Sequence, residues 1–167
     1  MKRFLLLFAA FCFISSVSYE QISVTGTTGS GSYATLQAAF AAINAGTISG
    51  VITITVTGNT TETGTAVLNA SGSGSASYSS VFMQPSGGAW TISGAITAGS
   101  PLVNLNGADN VTIDGLNTGG KSLTFSNTTY STTTGTSTIR FIADATNNTI
   151  LLRCRTLQHG RNAGEEI

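Results

Sequence analysis

Between Gln21 and Leu152 the chain carries six charged side chains, and acid–base or metal chemistry in that stretch must come from them. Four are carboxylates, Glu62, Asp109, Asp114 and Asp144; the two cations are Lys121 and Arg140. A pair of carboxylates about 5 to 9.5 Å apart can cleave a glycosidic bond. Asp109 and Asp114 stand five positions apart, which an extended strand stretches to about 16 Å. Calcium takes roughly six to eight oxygen ligands, and no run of acids supplies them. Asp109 followed by Asn110 reads as a turn pair, because both side chains bond turn backbone. His159 and Cys154 belong to a different stretch near the C-terminus. The sequence therefore names no catalytic residue, no metal ligand, no cofactor-binding residue and no cofactor, and an enzyme is the minority reading.

The elements that would have to position these groups repeat. Residues 81–100 and 102–121 align at a spacing of 21 without a gap, with Val81 on Leu102, Thr91 on Thr112, Ile92 on Ile113 and Gly94 on Gly115. Short β-type runs separated by glycine turns at a period near 20 predict the coil of a solenoid. On that period Asp109 lies over Gly88 and Asp114 over Ser93, so no carboxylate stacks on another. Gly94 and Gly115 are expected at corners needing a positive φ. Leu123 and Phe125 begin a third unit, and residues 127–138 form a Thr/Ser loop that breaks the period. The pattern returns at residues 138–150, aligned with 101–113 at an offset of 37, with Asn147 on Asn110. Asparagine before the strand suits a left-handed turn.

Upstream, Leu36, Ala39, Phe40 and Ile43 make one apolar stripe and predict a helix over 35–45, with Thr35 as N-cap and Gly46 past the end. Its expected place is the open end of the solenoid, covering core and strand edges. Residues 51–57, VITITVT, alternate strictly and predict a strand with Ile52, Ile54 and Val56 inward. A further strand is expected at 66–70. The Thr-x-Thr row resembles that of ice-binding surfaces, where such rows stack on successive coils. At the 21-residue period the next coils keep one threonine each, Thr91 and Thr112, so the row reads as ordinary exposed β-branched residues.

Lys2 and Arg3 precede an apolar run ending in Ser16 and Ser18, the pattern of a secretory signal over 1–18; the run is too short to span a bilayer, which takes roughly 20 residues. Residues 19–34 are expected to be flexible. Residues 35–152 hold the capping helix and an incomplete β-helix. Residues 153–167, with Arg153, Arg155, Arg161, Glu165 and Glu166, lose the β spacing and are expected to be a disordered tail, foreign to an interrupted solenoid. With Cys12 inside the signal, Cys154 has no intramolecular partner. Charge is zero and no basic patch exists, so nucleic acid is not an expected partner.

The export signal, SYATLQAAFAAINAG, VITITVTGNTTE and ADNVTIDGL together resemble the start of a right-handed parallel β-helix of the pectin-lyase-like class. More narrowly, the chain is similar to the N-terminal regions of large secreted bacterial surface proteins with a C-terminal type IX sorting domain. The resemblance covers about residues 32–150, and no sorting domain is present here. It implies an all-β fold, a right-handed parallel β-helix with an N-terminal capping helix, located outside the cell or at its surface. The expected function is a non-catalytic, adhesin-like segment that meets polysaccharide or another cell-surface component, without a membrane span once the signal is removed. The alternative is the N-terminal part of a polysaccharide lyase or glycoside hydrolase whose catalytic coils are missing. Self-association through the edge of the coil over 139–150 is also expected.

Overall fold

Alternating β-branched residues bury every second side chain only if strands stack on strands, and this chain solves that by winding. The structure is a computed structural model that describes residues 19–152. In chain order its elements are β1 (Ile22–Thr25), β2 (Ser30–Tyr33), α1 (Leu36–Asn44), β3 (Gly50–Val56), β4 (Thr60–Thr61), β5 (Ala66–Asn69) and β6 (Tyr78–Pro85). There follow β7 (Ala89–Gly94), β8 (Pro101–Asn106), β9 (Val111–Asp114), β10 (Ser122–Asn127), β11 (Ser137–Ile142) and β12 (Thr149–Leu151). They form three sheets, ordered β12-β9-β6-β3-β1-β2, β10-β7-β4 and β11-β8-β5. Within each sheet the strands from β3 onward pair in parallel. The result is a parallel β-solenoid of about three turns, as the alternation predicts.

The coil is longer than the internal repeat. Ile52 pairs with Val81, Val81 with Val111 and Thr112 with Thr149 in the first sheet. Trp90 pairs with Leu123 in the second, and Ala66 with Val103 in the third. One turn therefore takes 29 to 37 residues, and the expected 21-residue stacking is wrong. A coil has three strands, and the 21-residue unit is one strand–turn–strand pair, β6-β7 or β8-β9. Advancing by two strands out of three moves to a different face. Val81 sits in the first sheet and Leu102 in the third, while Leu123 lies on Trp90 in the second. The offset of 37 is the true coil: Ile113 pairs with Ile150, and Asn110 and Asn147 both adopt a left-handed backbone, at φ 57° and 53°.

Inside, Ile52, Ile54, Met83, Ile92, Leu68, Leu105 and Ile113 are fully buried, each contributing roughly 1.5–3 kcal/mol. Gly94 and Gly115 close their strands for a reason other than the one expected, since neither has a positive φ. A Cβ at Gly94 would stand 2.5 Å from the Glu62 carbonyl oxygen, and one at Gly115 would stand 3.1 Å from that of Leu151. Glycine is needed there for close approach between coils.

The N-terminal end is covered by two elements. The helix forms as its stripe predicts: Leu36, Ala39, Phe40 and Ile43 are fully buried, and the Thr35 hydroxyl accepts from the Ala38 N–H at 3.2 Å. It ends in a Schellman motif, with Gly46 N–H to Ile43 O at 2.9 Å and Thr47 N–H to Ala42 O at 3.2 Å. Asn44 fastens it to β5, donating to Val67 O at 2.8 Å and accepting from Asn69 N–H at 3.0 Å. The first sheet is covered instead by β1 and β2, an antiparallel hairpin laid on β3. Residues 19–34, expected to be flexible, thus carry two strands, and Ile22 and Val24 are fully buried. The Gly/Ser/Thr composition hid the alternation of Ile22 and Val24. The expected export signal over 1–18 and the expected disordered tail over 153–167 lie outside the described residues.

Candidate functional site

Each acid weighed in the sequence has a definite place. Glu62, just after β4, is 2 % exposed. Its Oε1 accepts from the Leu36 N–H at 2.9 Å and the Thr60 hydroxyl at 2.8 Å, and its Oε2 accepts from the Gln37 N–H at 2.8 Å. The carboxylate therefore satisfies the first orphan amides of α1, where the helix dipole favours negative charge. Asp109 reaches the next coil: its Oδ1 accepts from the Thr146 N–H at 2.6 Å and the Thr146 hydroxyl at 2.8 Å. Those bonds hold its pKa below the usual carboxylate value. The turn pair expected with Asn110 is thus a clamp between coils. Asp144 sits exposed in a left-handed turn, φ 62°. Asp114 closes β9 on the outer face, where its Oδ1 accepts from the Leu116 N–H at 2.8 Å.

The cations lie elsewhere. Arg140, on β11, donates to Asn104 Oδ1 at 3.3 Å. Lys121 ends the turn entered at Thr118, its N–H bonded to Thr118 O at 3.0 Å. Beside that turn is an open cleft of about 620 Å³ over Thr91 and Thr124 of the second sheet. Among the described residues no three of His, Cys, Asp and Glu converge.

The stacking register assembles something the 21-residue spacing concealed. On the outer face of the first sheet one column runs Ser30, Thr25, Thr53, Phe82, Thr112, Thr149, each beside the next. Two residues along, a second column begins Ser32, Ser23, Thr55, Gln84 and ends with Asp114 beside Leu151. Four threonines therefore do share a row, contrary to the sequence expectation. The Thr-x-Thr array still fails, because Phe82 interrupts the first column and Gln84, Asp114 and Leu151 fill the second. The second sheet has its own outward pairs, Thr91 with Thr124 and Ser93 with both Thr61 and Ser126.

Phe82 is the residue that sequence reasoning missed. Val81 and Met83 point inward and are buried, so Phe82 faces out, half-buried and apart from the hydrophobic core. Alternation within β6 placed it outside; only the register with Thr53 and Thr112 places it amid hydroxyls. Compared with protein-family models, curated proteins and solved structures, the chain matches none.

Proposed function

We propose that this chain is a non-catalytic, exported β-helix segment of an adhesin-like cell-surface protein, which meets polysaccharide through its outer faces. The observation that carries the reading is the stacking of short hydroxyl side chains into outward columns on successive coils. Such columns offer many weak, repeated hydrogen bonds to a repeating partner. Glu62 and Asp109 hold backbone amides and so serve the scaffold.

The test is to incubate the chain with insoluble and soluble polysaccharides and to measure both retention and products. Retention with no release of reducing or unsaturated ends is expected. Turnover that disappears in Asp114→Ala would overturn the non-catalytic reading and favour a carbohydrate-active enzyme. For export, mass spectrometry of secreted protein should find a start between Tyr19 and Ile22, and an intact Met1 outside the cell would contradict it.

A further inference from the structure

We infer that the outer face of the first sheet, centred on Phe82, is a binding strip for a neutral polysaccharide lying along the solenoid axis. The inference rests on the polysaccharide-binding reading above and gives it a location and a ligand class.

An aromatic side chain on an outer face keeps part of its ring in water unless something covers it, and Phe82 stands half-buried in a row otherwise made of Ser and Thr. A pyranose ring has an apolar face of C–H groups and a rim of hydroxyls, so it needs an apolar plate with hydrogen-bonding neighbours around it. Phe82 supplies the plate. Thr53 and Thr112 flank it along the column. Gln84 follows two residues along the same strand, next to Thr55, and supplies an amide. Asp114 lies one strand over, partly exposed, with one of its oxygens held by the Leu116 N–H.

The spacing favours a polymer over a single sugar. Strands stack about 4.8 Å apart, so the six-membered column spans roughly 24 Å. That step is close to the advance of an extended glycan per sugar unit. Sugars on either side of the Phe82 ring would meet hydroxyls, those of Thr53 and Thr25 one way and of Thr112 and Thr149 the other. Charge decides between polymers. Among the described residues the strip carries one carboxylate and no cation, while Lys121 lies in the turn that enters the second sheet and Arg140 in the third. An acidic glycan would meet Asp114 with no compensating charge, so the complementary occupant is neutral.

The experiment is calorimetric or NMR titration of the 167-residue chain with neutral hexasaccharides of glucose, xylose and mannose, and with a uronate hexasaccharide for comparison. At least one neutral ligand should bind in a salt-insensitive manner and shift the amides of Thr53 and Thr112. Phe82→Ala should weaken it roughly tenfold, as loss of a stacked ring does, and Phe82→Tyr should restore it. Lys121→Ala should leave it unchanged. Circular dichroism of Phe82→Ala guards against misfolding, and the wild-type amide shifts locate the ligand without any variant. Neutral binding that survives Phe82→Ala would overturn the strip and leave the polysaccharide-binding reading standing. Preference for the uronate would also overturn it, and binding of no glycan at all would sink both.

Discussion

At the scale of single residues the charged groups are mostly structural, and their removal should read out as stability. Glu62→Ala strands two amides of α1 beside a buried site. Each such loss costs about 1–3 kcal/mol, so chemical denaturation should report roughly 2–6 kcal/mol less stability. Glu62→Gln keeps an acceptor and should lose less. Asp109 has a depressed folded pKa, so its contribution is present above its ordinary value of 3.8 and fades as pH falls through the lower folded value. Asp109→Asn should therefore flatten the acid limb of a stability–pH curve. Tyr78 is the opposite case. Its hydroxyl donates to the Asn69 carbonyl, and burial, aided by the nearby Asp109 charge, pushes its pKa from 10.0 to about 12. Its contribution is complete below pH 10.0 and lost as pH rises through about 12. Tyr78→Phe should abolish that alkaline loss at the cost of one hydrogen bond, about 1 kcal/mol. An unchanged alkaline limb would show that another group controls it.

At the scale of elements, local patterns were legible and stacking was not. The helix stripe and its ends, the alternation of β3 and the strand at β5 all follow from residues close in sequence. The coil length depends on which strand meets which, and self-similarity reports that only when the repeated unit is a whole turn. Here β6-β7 resembles β8-β9 because both are strand–turn–strand pairs, so 21 residues measured two sides of a three-sided coil. The same error hid the threonine column and the setting of Phe82. Glu62 was illegible for another reason: its partners Leu36 and Gln37 are 26 and 25 residues away. Close approach between coils also gives a prediction. Gly94→Ala would place a methyl 2.5 Å from the Glu62 carbonyl oxygen, and such overpacking costs about 1–3 kcal/mol. At Gly115 the corresponding approach is 3.1 Å, so Gly115→Ala should cost less. Equal effects in thermal melts would argue against the coil contact at Gly94.

For the whole molecule, the N-terminal end is covered by α1 and the β1–β2 hairpin, whereas β10, β11 and β12 each pair on one side among the described residues. Phe141 and Leu151, 46 % and 51 % exposed, accompany those edges. Open strand edges with apolar side chains recruit further strands. Expressed as these 167 residues, the chain should associate with rising concentration in sedimentation, and Phe141→Lys with Leu151→Lys should reduce that association. A monodisperse monomer at every concentration would contradict it. Everything proposed for the outer faces depends on the register, which cross-linking tests most directly. With Cys12 and Cys154 replaced by serine, Thr112→Cys with Thr149→Cys places two thiols on adjacent paired positions, within the Cα separation a disulfide spans. Mild oxidation should link that pair within one chain and leave Thr91→Cys with Thr112→Cys, the pair a 21-residue coil would stack, unlinked. The reverse outcome would contradict the coil, the columns and the strip around Phe82 together.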